Sequence, residues 1–184
     1  MKTKIEWCDY TMIELFGDWV NSKWMGYIVE DVRSNPQHTF IFLTKQPQNL
    51  IKWSPFPDNC WVGVSVTSAK DAIIRIPKLK DITAPVKFIS FEPLLKPIAS
   101  PNQLYIMLKL SGINWVIIGQ QTPVNKATML KVGWIQEIVR ACDWASIPVF
   151  LKDNLISCVD QYLFAFSGKF PDIKLRQEFP KGIK

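Results

Sequence analysis

The sequence predicts an α/β fold: a mostly parallel sheet with crossover helices, forming an incomplete (β/α) barrel or an open sheet. Five short runs rich in β-branched and aromatic residues recur, starting at residues 39, 61, 86, 115 and 148. Most lack polar alternation, the pattern of strands buried on both faces. Every interval between runs has room for a helix, which parallel neighbours require.

Ser22 reads as the cap of a first helix through Val32, with Trp24, Ile28, Val29 and Val32 on its buried stripe. Thr39-Phe-Ile-Phe-Leu-Thr44 is the first strand and Trp61-Val-Gly-Val-Ser-Val66 the second. Ser68 with Asp71 resembles a capping box opening a helix through Ala72, Ile73, Ile76 and Leu79, which Pro77 kinks or ends. Val86-Lys-Phe-Ile-Ser-Phe91 and Trp115-Val-Ile-Ile-Gly119 are the third and fourth strands. Trp134, Ile135, Ile138, Val139 and Cys142 form a helical stripe before the fifth strand, Pro148-Val-Phe-Leu-Lys152. A last helix is expected from Asn154 onward, burying Leu155, Val159, Tyr162 and Leu163, and the tail from Phe179 is expected to be loose. The 184 residues are treated as one domain.

Composition excludes several classes. Hydrophobic residues make up 48% and charged residues 21%, so the chain is globular, not disordered. No apolar run is long enough for a membrane span, and the first residues lack the apolar stretch of a secretion signal. A cytoplasmic location follows as an expectation. The formal charge of +6 permits an anionic partner such as a nucleotide or nucleic acid without demanding one. Cys8, Cys60, Cys142 and Cys158 are widely spaced, and none forms a local metal-binding pair. The glycine-rich phosphate loops and the nucleophile elbow are absent. His38, the one histidine, lies at the entry of the first strand and is poorly placed as a base. Trp7 and Trp53 are the aromatics available for base stacking.

In parallel α/β folds, function gathers at the carboxyl edge of the sheet. The residues ending the five runs give the pocket candidates Lys45, Ser65, Glu92, Gln120, Lys152 and Asp153. Each has a plainer alternative. Asp153 with Asn154 can cap the following helix, Glu92 before Pro93 can be a turn acid paired with a lysine, and Lys45 and Lys152 can be solvated. The residues name no reaction by themselves.

Several segments resemble, in order and almost end to end, the phage gene-product thirty-seven/sixty-eight family. They include Lys4-Ile-Glu-Trp-Cys-Asp-Tyr-Thr11, His38 to Lys45, Trp61 to Val66, Phe88-Ile-Ser-Phe-Glu-Pro-Leu-Leu95, Trp115 to Gly119, Pro148 to Leu155 and Arg176-Gln-Glu-Phe-Pro180. The resemblance implies a partial (β/α) barrel like that of radical S-adenosylmethionine enzymes. In intact relatives it further implies a [4Fe–4S] cluster held by a three-cysteine motif ending in C-Y-A. That segment is missing here. Thr11 runs directly into Met12-Ile-Glu-Leu-Phe16, which resembles a region far downstream in the family, with Glu14 where Asp is usual. Gly119-Gln120-Gln121 stands where relatives read G-G-E or G-G-Q, and Gln46 where many have Arg.

An internal deletion at the Thr11–Met12 junction therefore implies a remnant with no cluster, no bound S-adenosylmethionine and no catalysis. The alternative is a nucleotide- or nucleic-acid-binding module on the same scaffold. Loss of a strand and helix is also expected to expose a sheet edge that invites self-association.

Overall fold

The computed structural model describes residues 14–123, 130–158 and 175–180. Five strands, β1 (Phe40–Thr44), β2 (Cys60–Ser65), β3 (Val86–Phe91), β4 (Trp115–Ile118) and β5 (Val149–Leu151), form one sheet in the order β1-β2-β3-β4-β5. Every neighbouring pair is parallel, and the sheet is open. All five predicted strands are present, within one or two residues of their expected ends. The runs without polar alternation are buried throughout: each residue of β2 and β4 is buried.

Helices α1 (Ser22–Ser34), α2 (Ala69–Arg75), α3 (Pro101–Leu110) and α4 (Val132–Ala145) precede or link these strands. Their buried residues, among them Met25, Val32, Ala72, Leu104, Leu108, Ile135 and Ile138, share one apolar cluster with Phe42, Val62, Val64, Ile89, Val116 and Val149. Alternate strand residues face the other way. Ile41, Trp61, Val86, Phe88, Trp115 and Ile117 form a second cluster with no helix in it. The helices therefore cover one face, and aromatic side chains fill the other. Trp115 lies 5.3 Å from Trp61 and 5.6 Å from Phe88, ring centre to ring centre.

The local signals are partly as predicted. Asn21, not Ser22, caps α1, its side chain accepting the Lys23 N–H at 2.9 Å. Ile28, Val29 and Val32 of the expected stripe face the core, but Met25 is buried in place of Trp24, which is 63% exposed. Ser68 caps α2 by accepting the Asp71 N–H, but Asp71 reaches back to Thr67 rather than to Ser68. Pro77 ends the α-helix as expected, and the chain continues as a 3-10 turn over Ile76–Leu79. Helix α3 went unread in the sequence, although Ser100 and Gln103 form a full capping box around Pro101. Trp53 is partly buried and packs against the core. His38 enters β1 as predicted, its carbonyl accepting from Asn59, which also ties down the carbonyls of Val32 and Asn35.

The end of the chain is not loose where it is described. Residues 176–178 run antiparallel beside β5: Leu151 N–H donates to the Arg176 carbonyl and Glu178 N–H to the Val149 carbonyl. Phe179 stacks on Trp115 at 5.6 Å. The Thr11–Met12 junction, Cys8, Trp7, the expected helical positions Val159, Tyr162 and Leu163, and Lys181–Lys184 lie outside the described residues.

Gly63 tests the inner layer. A Cβ there would stand 2.5 Å from the Phe88 ring. Gly63→Ala is expected to cost about 1–3 kcal/mol by overpacking, measured as a lower denaturation midpoint with an unchanged slope.

Candidate functional site

Parallel register brings the ends of β3, β4 and β5 into one row. Phe91 pairs with Ile118 and Ile118 with Leu151, so the next residues, Glu92, Gly119 and Lys152, stand side by side. The ladder continues through them: Gly119 N–H donates to the Phe91 carbonyl and Lys152 N–H to the Ile118 carbonyl. Lys152 Nζ lies 2.7 and 2.9 Å from the two Glu92 carboxylate oxygens. The pair spans β4, and Gly119 is what leaves it room. A Cβ on Gly119 would fall 2.7 Å from Glu92 Oε1 and 3.1 Å from Lys152 Cδ. Both side chains are partly exposed, at 43% for Lys152 and 29% for Glu92. Such a pair holds two side chains in place and contributes little net stability.

Ser65 and Ser90 are register partners one step below, on the face that carries Phe88. Both residues are buried. The Ser65 carbonyl accepts from Arg75 at 2.7 Å, and Arg75 is paired with Asp71 at 3.1 Å. Burial pushes the Asp71 carboxyl up, but hydrogen bonds involving Thr67 and Ser68 and the Arg75 charge outweigh it and hold the carboxyl below its usual range.

The remaining candidates do not join the ion pair. Gln120 follows Gly119 and therefore points to the opposite face. It is almost wholly buried, and its Nε2 donates to the Asn154 carbonyl and to Ser157 Oγ. Asn154 Nδ2 donates back to the Gln120 carbonyl at 2.9 Å. Among the described residues, Gln120 Oε1 has no hydrogen-bond partner. Asp153 is exposed and accepts from Gln177 at 2.7 Å. Asp153 opens a short 3-10 turn, Asp153–Leu155, and the helical residues that follow are described only through residue 158. Lys45 is exposed, and its backbone N–H donates to Glu14 at 2.8 Å.

Glu14 is the rim residue that sequence reasoning missed. Its carboxylate accepts from both the Thr44 hydroxyl and the Lys45 N–H, closing the end of β1. The signal was an acid held at this place in the resembled family, as Glu here and Asp elsewhere.

The three described thiols do not fit a cluster. Cys60 begins β2, Cys142 lies on α4 and Cys158 follows β5, all three free and buried. Burial pushes the Cys60 and Cys142 thiols up to about 12 and raises that of Cys158, whose Sγ donates to the Leu130 carbonyl at 3.0 Å. Cluster irons bind thiolates, which these sites disfavour. Among the described residues no group of three or more His, Cys, Asp or Glu stands close enough to hold a metal ion.

A cavity of about 880 Å³ opens at the opposite, amino edge of the sheet, lined by Pro85, Asn114, Asp143, Arg176, Glu178 and Phe179 among others. Arg176 bridges Asp143 at 2.6 Å and Glu178 at 2.8 Å. Burial opposes its charge, but those two carboxylates prevail and raise its pKa. This edge is where such sheets are secured, not where they usually act.

Two measurements probe this geometry. A double-mutant cycle with Glu92→Gln and Lys152→Met is expected to give a coupling of roughly 0.2–1 kcal/mol, falling to near zero in a Gly119→Ala background. The thiol contribution to stability should be level below pH 9 and fall as pH rises from the ordinary thiol value of 9.0 toward about 12, because the unfolded chain releases thiol protons that the native chain retains. Cys60→Ala and Cys142→Ala should each make that fall shallower in denaturation at stepped pH.

No curated protein and no solved structure matches the chain. One family model does, described as a protein of unknown function (DUF5131), over residues 3–156. That match takes in β1 through β5 and every rim residue from Glu14 to Asp153. The chain therefore belongs to the DUF5131 family.

Proposed function

We propose that this chain is a shortened radical-SAM-type barrel, of phage or prophage kind, that carries no iron–sulfur cluster and performs no catalysis. Sequential parallel strands with helices on one face support the barrel reading. The observation that carries the loss of chemistry is the state of the thiols: three are buried, on separate elements, and energetically opposed to the thiolate form. The rim supports the same reading. Its Glu92 and Lys152 satisfy each other, which leaves neither free as a general acid or base.

A second reading, binding of a nucleotide or nucleic acid by the same scaffold, draws on Lys45. It stands exposed at the end of β1, with no ion pair among the described residues.

Anaerobic reconstitution with iron and sulfide separates the readings. Substoichiometric iron and no reductive cleavage of S-adenosylmethionine are expected. A stoichiometric cluster with cleavage would overturn the proposal. Oligonucleotide binding that weakens steeply with salt and is lost in Lys45→Ala would favour the second reading.

A further inference from the structure

The outer faces of α2 and α3 carry an apolar groove that neither the core nor the rim uses. It encloses about 380 Å³. Its floor includes buried Ile98 with Ala99 and Met107, both packed against the core. Its walls are Ile73 of α2 and Ile106 of α3, 69% and 52% exposed. Ile74 and Leu110 leave two more large aliphatic side chains in solvent on the same helices. Single exposed aliphatics are ordinary; several on two adjoining helices beside one groove mark an interaction surface.

No charged side chain lines the groove, but Lys70 and Lys109 stand three residues from its walls Ile73 and Ile106, neighbours on the helix surface, and the charge they bring narrows the occupant. Helix α2, the 3-10 turn after it and α3 carry Lys70, Arg75, Lys78 and Lys109 against one acid, Asp71. Asp71 is bound to Arg75 at 3.1 Å. What remains is Lys70, Lys78 and Lys109, each exposed and outside any ion pair among the described residues. A second copy would set lysines against lysines, which disfavours self-pairing here. An extended peptide needs a free sheet edge and a proline-rich one needs aromatic walls; this groove is lined by Ile, Ala and Met with one polar residue, Gln103, and by no aromatic. A bilayer has no ridge to fill a concave slot. An amphipathic helix has such a ridge, and acidic flanks would meet the lysines. We infer that the α2–α3 groove docks an acidic amphipathic helix of a partner protein. This inference does not depend on the loss of the cluster.

The probes are a helical peptide with leucines at i, i+3, i+4 and i+7 and glutamates on its flanks, and its twin with lysines instead. The full chain is titrated with each by fluorescence anisotropy, with hydrogen exchange read on α2 and α3. The acidic peptide is expected to bind and protect both helices. Ile73→Ser with Ile106→Ser should weaken binding at least about tenfold, and so should Lys70→Glu with Lys109→Glu. The lysine-flanked twin should not bind. If the isoleucine variant loses its fold, the lysine variant decides, since it leaves the groove intact. Equal binding of the two peptides, or none by the acidic one at millimolar concentration, overturns the inference. So does preferential binding of phosphatidylserine vesicles or single-stranded DNA through the same residues.

Discussion

A parallel sheet whose helices all lie on one side must bury its other face by different means, and in this chain that burden falls on Trp115. Its ring meets Trp61, Phe88, Phe150 and Phe179, each with centroids 5.3–6.1 Å away. The indole N–H donates to the Glu178 carbonyl, so the polar end of a fully buried ring is satisfied as well. Aromatic contacts of this kind bring large apolar area and orientation together. The backbone ladder sets the register that puts Glu92, Gly119 and Lys152 in one row, and this aromatic layer packs the same face of the sheet beneath them.

The rim itself is held by local devices, four for the five strand ends. Glu14 closes β1, the Arg75–Asp71 pair closes β2, the Glu92–Lys152 pair spans β3 to β5, and the Gln120–Asn154 exchange closes β4. Each device pairs a charged or amide side chain with groups that would otherwise be left open at the end of a ladder.

Strands were the most legible part of the sequence, because a run such as Trp115-Val-Ile-Ile118 has one physical meaning in a chain of this size: burial on both faces. Helix details were less so. Asn21 and Ser22 are both good caps, and of the adjacent apolar residues Trp24 and Met25 it is Met25 that the core takes. The rim was legible as an edge but not as a set of partners. Glu92 was expected to meet a lysine, and Lys152 is that lysine. Gln120 was grouped with them because it ends the same strand. Counting the pleat from Gly119 would have put it on the far face. Glu14 lay out of reach because its contact with Thr44 and Lys45 bridges segments that only the folded chain brings together.

The antiparallel segment at residues 176–178 makes the two margins of the sheet unequal. One flank is sealed by a return of the chain that uses the opposite strand direction, so no further parallel strand can be laid against β5 without first displacing it. The flank at β1 meets no such stop among the described residues. Any larger version of this architecture, whether reached by evolution or by design, would therefore have to grow in one direction only, outward from β1. The insertion point for such growth lies ahead of α1.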